Sequence, residues 1–560
     1  MTPSKGNFAL FKSIWNRLAW RFAAARADER GAIAVQFALL LLPIAILTFG
    51  LIDISRASLQ KRQLQDALDA ATLMAARSTA TTDDGLDSIG DSALATEMAG
   101  LGVTLTAASS TFASGAGNTV VGTVSATIKP IISNLWSSGD STVAATSTVM
   151  RSVNKLEVAL VLDNTGSMAS NLGSGGTKIN ALINASKSLV DVLGAAAARA
   201  TETDAVKISV VPFSMTVNVG SNFEGQGWLR GALPSQYGDD LFNDGARLDR
   251  FALLTGMGLT WSGCVESRPD PYDTNDEAPY AAKPESYFVP FFAPDEPDTS
   301  YQIYQDMGNT KTKNYTAAPA NDYAKDYLTS PNPFKSESDF LRRQGLMTKY
   351  TAANLRGGAS NVNGGPNAGC GITSVMRLTN VRTASGVSTL KAKLDKMIAS
   401  GNTNVAMGAA WGWHSVSPNA PFADGKPYGT KNTTKVLVLL TDGDNVMSES
   451  NNVNNSTYSG YGYAGQKRLK DKNGNALDQN SSASDRMNAI DSRQIKVCTA
   501  AKLKGVQIYA IGVGVSSHSR GILQSCATKT DMYYDVTDAA QLTSVFNTIA
   551  GSIQNLRITK

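Results

Sequence analysis

Any fold of this chain has to accommodate the segment Gly31–Ile52, which is 22 residues long and contains no charged side chain. As an α-helix it would be roughly 33 Å long, about the thickness of the hydrocarbon core of a membrane. Pro43 and Gly50 lie within it and are tolerated in such helices. A cleaved signal peptide is the alternative, but its apolar part would be shorter and no clean small-x-small cleavage site follows. The segment therefore predicts one uncleaved transmembrane helix, over residues 31–53.

The flanking charges predict the orientation of this helix. Residues 1–30 contain six basic and two acidic side chains, which accounts for the whole net charge of +4. Because basic flanks stay in the cytoplasm, we expect a single-pass protein of the inner membrane with a cytoplasmic N-terminal tail. Everything after Asp53 would then lie in the periplasm or outside the cell. The rest of the chain is balanced in charge, which argues against nucleic acid as a partner.

The cysteine and histidine content excludes several kinds of site. The chain has four cysteines, none in C-x-x-C spacing, and only two histidines, far apart in sequence. Zinc sites, thioredoxin-like sites and Ser-His-Asp catalysis are therefore poorly supported. All four cysteines follow the membrane segment, so in an oxidising compartment we expect two disulfides. Four buried free thiols are the alternative.

Residues 54–153 predict a helical stalk followed by a small β-rich module. Residues 53–80 are rich in helix formers and carry leucines at helical spacing, so the membrane helix is expected to continue. A second helix is expected near Asp87–Leu101. Three short strands follow from their β-branched residues between turn residues. Their sequences are V-T-L-T, T-V-V-G-T-V-S-A-T-I and S-T-V-A-A-T-S-T-V.

From residue 154 to residue 560 the pattern is α/β. Apolar strands alternate with amphipathic helices, which indicates a mainly parallel sheet covered by helices on both faces. The predicted strands are Leu156–Leu162, Val206–Phe213, Lys435–Leu440 and Gly505–Gly514, and the predicted helices lie at Ile179–Leu193, Asp485–Lys504 and Gln541–Leu556.

Between about residues 219 and 388 this alternation stops. A structureless loop of that length is improbable in a compact domain, so we expect a folded insertion. We predict a disulfide Cys264–Cys370 within it, and a second, Cys498–Cys526, between the helices that flank the fourth strand. Two acidic stretches of the insertion, Asp273–Glu277 and Pro294–Asp298, suggest either Ca²⁺ loops or, as we expect, solvated charged loops.

Aromatic residues outside the insertion also have two interpretations. Trp411 and Trp413 are expected to be packing residues, with a sugar platform as the alternative. Tyr458, Tyr461 and Tyr463 lie among glycines and fit a contact surface or a packed loop equally well.

Oxygen-bearing side chains follow the ends of the predicted strands. Asp163, Thr165 and Ser167 follow the first strand, and Asp442 follows the third; Thr403 lies in the loop Gly401–Asn404. Ligands bind beyond the carboxyl ends of strands in open parallel sheets. Two carboxylates and three hydroxyls, without sulfur or imidazole, suit Mg²⁺ or a similar hard cation. Because Mg²⁺ keeps waters, the carboxylate of a partner could fill an open position.

This pattern resembles the von Willebrand factor A domain, a Rossmann-like fold whose metal-ion-dependent adhesion site uses D-x-S-x-S, a distant Thr and a distant Asp. The resemblance covers roughly Lys155–Leu556. It implies that Asp163, Thr165, Ser167, Thr403 and Asp442 hold Mg²⁺, or Mn²⁺ or Ca²⁺, with Thr165 in place of the commoner serine. It also implies a role in adhesion to a protein partner.

The whole chain resembles the TadE/TadG-like proteins of tight-adherence (Flp) pilus systems, specifically the G type, which combine a pilin-like anchor and stalk with an A domain. The stretches that carry the resemblance include R-G-A-I-A-V-Q-F-A-L-L-L-L-P, G-N-T-N-V-A-M-G-A-A-W-G-W and L-L-T-D-G-D-N. It implies a component of pilus assembly with other pilus or surface proteins as partners. Pilin-like precursors cut after glycine usually carry glutamate five positions later, but Gln36 follows Gly31 here, which favours a permanent anchor.

Two other functions compete with metal-dependent adhesion. Asp163-Asn164-Thr165-Gly166-Ser167 resembles the D-K-T-G-T loop of phosphorylated-aspartate ATPases, in which Asp163 would be a nucleophile and Asp442 and Asp444 would hold Mg²⁺. Asn164 replaces the lysine of that loop, and only one membrane span is present, so we expect no enzyme. The third alternative is an architectural protein of the envelope whose metal site only stabilises the fold.

Overall fold

The structure is a computed structural model. It describes residues 29–78, 80, 82–100, 108–116, 119–128, 141–150, 155–198, 200, 202–232, 249–296, 302–305, 312–315, 321–325, 342–357, 364–450 and 454–558. The chain forms two compact units, residues 1–151 and residues 152–560. The basic tail up to residue 28 and the predicted strand V-T-L-T lie outside the described residues.

The first unit begins with one long helix, α1 (Glu29–Arg77), so the stalk does continue the apolar segment. Large apolar side chains between Val35 and Ile54 are exposed to solvent, whereas Leu64 and Leu68 are fully buried. The helix is long and apolar enough to cross a membrane, with a mean hydropathy of 2.4 in its most apolar part. A second helix, Lys178–Ala198, passes the same test of length and composition, but one face of it is buried in the second unit.

A small antiparallel sheet covers the buried half of α1. Helix α2 and α1 pack on its face around Phe112, which is fully buried. The packing is close because a Cβ on Gly90 or on Gly122 would lie within 3 Å of the Phe112 ring. Two of the predicted strands, β2 and β3, are confirmed, whereas β1 was not recognised from sequence. The elements are α2 (Asp83–Gly100), β1 (Ala108–Gly115), β2 (Thr119–Ile128) and β3 (Ser141–Met150), in the order β1-β2-β3.

The second unit is built on a six-stranded sheet in the order β10-β5-β4-β11-β12-β13. All neighbours are parallel except β10, which runs antiparallel to β5. The strand order reverses between the central strands β4 and β11, as in the doubly wound folds. This topology confirms the predicted fold class, a mainly parallel, Rossmann-like sheet with helices on both faces. The strands are β4 (Lys155–Asp163), β5 (Val206–Phe213), β10 (Met376–Asn380), β11 (Thr433–Thr441), β12 (Gln507–Val513) and β13 (Tyr533–Val536).

Two layers of helices cover this sheet, because its central strands are apolar on both faces and have to be buried on both. In one layer α3 packs against α5 and α9, and the other layer contains α6, α7 and α8. The helices are α3 (Lys178–Ala198), α5 (Ala384–Leu394), α6 (Val405–Val416), α7 (Ala483–Leu503), α8 (Ser517–Cys526) and α9 (Leu542–Ile558).

The expected end of the insertion at residue 388 is wrong. Met376–Asn380 is the edge strand β10, in which Asn380 pairs with Lys207 of β5, and α5 begins at Ala384. Both elements belong to the sheet and helix layers, so the insertion ends before Met376. Strand β10 was missed because it is short, half-buried and polar at every second position, with an irregular register between Met376 and Thr379.

The insertion is folded and shares the core of the sheet domain, so it is not a separate unit. Strand β6 (Val217–Asn218), just before the insertion, pairs with β7 (Cys264–Val265) inside it. The insertion also contains the short helix α4 (Arg250–Gly256) and a hairpin of β8 (Gln302–Gln305) and β9 (Thr312–Tyr315). The disulfide Cys264–Cys370 closes it, and Cys498–Cys526 joins α7 to α8, as predicted.

The aromatic residues singled out in the sequence are packing residues. Trp411 and Trp413 are 2% exposed, and the Trp411 ring lies 5.0 Å from that of Phe288 in the insertion. The three tyrosines are buried as well, at 6% for Tyr458, 5% for Tyr461 and 1% for Tyr463. Of the two interpretations of the tyrosines, the packed loop is therefore correct.

The expectation of solvated charged loops in the insertion is wrong for Asp273, Asp276 and Asp295. Asp273 is buried and pairs with Arg493 of α7 at 2.8 Å, and Asp276 accepts a hydrogen bond from the Ser417 hydroxyl. Asp295 is fully buried and pairs with Lys349 at 2.8 Å. These three side chains therefore join the insertion internally and to the sheet domain, whereas Glu277 is exposed. Residues 297 and 298 of the second acidic stretch lie outside the described residues.

Candidate metal centre

The site lies at the carboxyl ends of the two central strands, β4 and β11. These strands are parallel neighbours, with Leu162 beside Leu440, so the residues that follow them emerge side by side. Asp163 is the last residue of β4, and Asp442 directly follows β11. The strand order reverses between these strands, and such a switch point leaves room for a ligand because the connections lead away on opposite sides.

Asp163 is fully buried and fixed through both carboxylate oxygens. Its Oδ1 accepts a hydrogen bond from the backbone N–H of Thr165 at 2.8 Å, and its Oδ2 accepts one from the Thr441 hydroxyl at 2.6 Å. Burial, and then the negative charge of Asp442, raise the pKa of Asp163 to about 6. A bound cation would offset both effects, because it favours the ionised form.

The hydroxyls of the first loop connect the two strand ends. Thr165 Oγ1 and Ser167 Oγ lie 3.0 Å apart, and the Ser167 hydroxyl donates to Asp442 Oδ1 at 2.6 Å. The structure thus brings Asp163, Thr165, Ser167 and Asp442 into one hydrogen-bonded group.

Thr403 is held against this group by backbone hydrogen bonds. The Gly166 N–H donates to the carbonyl of Gly401 at 2.9 Å, and the Val446 N–H donates to the carbonyl of Thr403 at 2.8 Å. A Cβ on Gly443 would lie 3.9 Å from Thr403 Oγ1 and 4.0 Å from Ser167 Oγ. The Thr403 and Ser167 hydroxyls therefore both lie close to Gly443, which places Thr403 beside the hydrogen-bonded group of the other four predicted residues.

Asn445 connects the second and third loops through hydrogen bonds. It is not among the site residues that the sequence predicts. Its side chain accepts a hydrogen bond from the N–H of Val405, the first residue of α6, at 2.7 Å. It also donates to Asp491 and to Gln494 of α7, at 2.8 Å each. The only signal in the sequence is its place at the end of T-D-G-D-N.

A lysine also reaches the site. Lys178, the first residue of α3, places its Nζ 2.9 Å from Asp442 Oδ2, and the Asp442 side chain is fully buried. In sequence it looks like a polar residue before the apolar pattern that starts at Ile179, so it was not recognised.

The donor set fits a hard divalent cation. Within the ranges described above, no group of three or more His, Cys, Asp or Glu side chains could hold a metal. A cation at this site must therefore use hydroxyl oxygens together with the two carboxylates. Oxygen-only sets of this kind suit Mg²⁺, Mn²⁺ and Ca²⁺.

Asp444 lies close in sequence but has a different role. Its Oδ1 accepts hydrogen bonds from the hydroxyls of Ser516, at 2.7 Å, and Ser519, at the N-terminal end of α8. It therefore positions α8 against the third loop. The ATPase interpretation would instead need Asp444 as a metal ligand beside Asp442.

Comparison with known protein families gives a match for the N-terminal segment. Residues 31–78 match the Tad family, described as "Putative Flp pilus-assembly TadE/G-like". No curated protein matches the sequence. The N-terminal segment is thus of the TadE/G-like type that the sequence resembles.

The comparison with solved structures matches several pilus proteins, all at low identity. The pilus adhesin SpaC from Lactobacillus rhamnosus GG is 12% identical over 80% of this chain and 34% of its own, with a TM-score of 0.32. The vWF domain of the type V pili tip protein Mfa5 from Porphyromonas gingivalis is 10% identical over 73% of this chain and 97% of its own (TM-score 0.30). The pilus adhesin RrgA from Streptococcus pneumoniae is 10% identical over 80% and 49% (TM-score 0.31). This chain thus spans about a third of SpaC and half of RrgA. The fold assignment rests on the strand order given above.

Proposed function

We propose that this protein is a membrane-anchored, envelope-exposed component of Flp pilus assembly or surface adhesion, which binds a protein partner through a metal-ion-dependent adhesion site. One observation carries the proposal: three loops, far apart in sequence, bring five oxygen-bearing side chains to the switch point of the sheet. The TadE/G-like segment at residues 31–78 supports the link to pilus assembly. Other pilus-assembly or surface proteins are the expected partners.

The five residues would divide the work of holding the ion. Thr165, Ser167 and Thr403 supply hydroxyl oxygens, and Asp163 and Asp442 supply negative charge. The ion, Mg²⁺ or alternatively Mn²⁺ or Ca²⁺, supplies a positive charge with an open position for a carboxylate of the partner. Asp163 is anchored on the apolar strand β4, so the loops are held in place by the fold beneath them.

The same geometry supports a binding role over an enzymatic one. A nucleophilic aspartate needs an oxygen that a phosphoryl group can approach. Asp163 has no exposed surface, and each of its oxygens accepts a hydrogen bond. Asn164, at the position of the lysine in the ATPase loop, is buried and uncharged. We therefore propose that Asp163 supplies negative charge to the metal site and is not a nucleophile, and that the protein catalyses no reaction.

The proposed localisation is the inner membrane, with the N-terminus in the cytoplasm and the body in the periplasm or outside. The exposed apolar half of α1 supports an anchor in the membrane. The six basic residues that precede it support the orientation. Two disulfides in the body fit an oxidising compartment.

Calorimetric titration of the full chain in detergent with Mg²⁺ tests the metal claim. Asp163→Ala should abolish binding while the body stays folded. Asp191→Ala, which removes an exposed carboxylate paired with Lys391 on the helix layer, is the matched control and should bind like wild type. Equal binding by wild type and Asp163→Ala would refute the metal site.

Crosslinking in the native envelope tests the partner claim. A partner recovered with Mg²⁺, and lost with EDTA or with Asp163→Ala, supports adhesion. Metal binding without any effect on the recovered proteins would favour the architectural role instead. A phosphorylated Asp163 in wild type would favour the ATPase-like alternative.

A further inference from the structure

Lys178 is a buried cation at the N-terminal end of a helix, where a positive charge is unfavourable. It is the first residue of α3, and its side chain is 11% exposed. The N-terminal end of a helix carries a partial positive charge, which stabilises acidic side chains and disfavours a lysine. The helix itself therefore gives no reason for a lysine here, and its ion pair with Asp442 does.

The Lys178–Asp442 pair satisfies a carboxylate that has no access to water. Asp442 Oδ2 is 2.9 Å from the Lys178 ammonium, and Oδ1 accepts the hydrogen bond of Ser167 at 2.6 Å. Asp163, the second carboxylate of the site, receives only uncharged donors, from the Thr165 and Asp442 backbones and the Thr441 hydroxyl. Among the residues that the structure describes, Lys178 is the one cation paired with these two carboxylates, so one positive charge faces two negative charges.

We propose, building on the metal site proposed above, that Lys178 is an internal cation that competes with the divalent ion for Asp442. In metal-free protein it balances the charge of Asp442 and keeps the three loops together. When a divalent ion enters, its charge cancels both carboxylates and the ammonium charge is left over. Lys178 therefore weakens metal binding and leaves the loaded site positive, which favours an anionic group on the partner.

Two measurements on Lys178→Met test the competition. The variant keeps the length and apolar body of the side chain and removes its charge. We expect calorimetry to show Mg²⁺ binding tightened about tenfold or more, because the repulsion between ammonium and ion is gone. We also expect a lower Tm than wild type in EDTA, since Asp442 loses its partner, and recovery of that loss when Mg²⁺ is added.

Lys187→Met is the matched control. Lys187 lies on the same helix and pairs with Asp395 at 2.6 Å on the surface. This variant should leave the Mg²⁺ affinity unchanged. If Lys178→Met does not fold in EDTA, Lys178→Gln, which retains a neutral donor for Asp442, should bind Mg²⁺ more tightly than wild type. Unchanged or weaker Mg²⁺ binding by both Lys178 variants would overturn the proposal, and so would absence of binding in every variant.

Binding of acetate tests whether the positive charge of Lys178 favours an anionic group at the metal-loaded site. In Mn²⁺-loaded protein, the paramagnetic relaxation of acetate protons increases with the fraction of acetate that is bound close to the ion. Lys178→Met should reduce this relaxation at equal Mn²⁺ occupancy, with acetamide as the neutral reference; equal relaxation would overturn the claim that Lys178 favours anions. These outcomes are separate from partner binding: if metal changes no crosslinked partner, the proposed adhesion fails while the competition at Asp442 stands.

Discussion

The side chain of Asn445 accepts a hydrogen bond from the backbone N–H of Val405, so a residue of the third metal loop holds the start of the helix that follows the second loop. Its amide group donates to Asp491 and Gln494, which anchors both loops to α7. The distance between Thr403 and Asp442 therefore depends on a residue that is not itself a proposed ligand.

Asn445→Ala should weaken Mg²⁺ binding and lower stability. It leaves buried donors and acceptors of Val405, Asp491 and Gln494 without this partner, which costs about 1–3 kcal/mol in the free energy of unfolding. Denaturant unfolding and calorimetric titration of the same preparation measure the two effects. Asn473→Ala, in an exposed turn, is the control and should change neither. Wild-type Mg²⁺ affinity in Asn445→Ala would show that the loops keep their geometry without it.

The pH dependence of metal binding follows from Asp163. Its pKa is raised to about 6 in the folded, metal-free protein, by burial and by the charge of Asp442. The ion requires the ionised carboxylate, so Mg²⁺ affinity should fall as the pH drops from about 7 through 6. Titrations between pH 5 and pH 8, a range chosen to bracket that value, measure this. An affinity that does not change over this range would contradict the raised pKa.

The stability of the metal-free protein should change with pH in the opposite direction to the Mg²⁺ affinity. Because the folded pKa of Asp163 lies above the ordinary carboxyl value, the folded state binds the proton more tightly, and the free energy of unfolding in EDTA should rise as the pH falls from above 6 towards the ordinary value. Asp163→Asn, which is uncharged, should be more stable than wild type at neutral pH, by at most about 3 kcal/mol, and this gain should shrink on acidification. Wild type that is more stable than Asp163→Asn at neutral pH in EDTA would show that the ionised carboxylate is not destabilising.

The two disulfides should contribute unequally to stability. The chain between Cys264 and Cys370 spans 106 residues and that between Cys498 and Cys526 spans 28. Because a longer closed loop removes more entropy from the unfolded chain, replacing the first pair by alanine should cost roughly 1 kcal/mol more than replacing the second, out of about 3–5 kcal/mol each. Denaturant unfolding of the two double variants compares them. A larger loss for the Cys498–Cys526 pair would contradict the chain-entropy argument.

Membrane topology is directly testable by proteolysis. We expect protease added to spheroplasts to digest the body after Asp53 and to spare a short N-terminal fragment, because the basic residues hold the tail in the cytoplasm. Immunoblotting with a tag at each end identifies the fragments. A body that stays protected until the membrane is permeabilised would reverse the proposed orientation.

Local sequence determined the elements that depend on short-range patterns. Apolar length indicated a helix over Gly31–Ile52, and apolar strands that end in oxygen-bearing side chains indicated Asp163 and Asp442 at one edge of a sheet. These predictions succeed because the period of a helix or strand, and the ends of buried strands, are properties of neighbouring residues. The same logic fails for β10 and β13, which are short edge strands with half-buried, partly polar residues.

Only the tertiary structure determined which charged side chains form ion pairs. Lys178 and Asp442 are 264 residues apart, and Asp273 and Arg493 are 220 apart, so no local pattern links them. The acidic residues of the insertion look like solvated loops in sequence because charge normally prefers water. The side chains of Asp273, Asp276 and Asp295 are buried because long-range folding supplies each with a cation or a hydrogen-bond donor, and only such partners offset the cost of removing a charge from water.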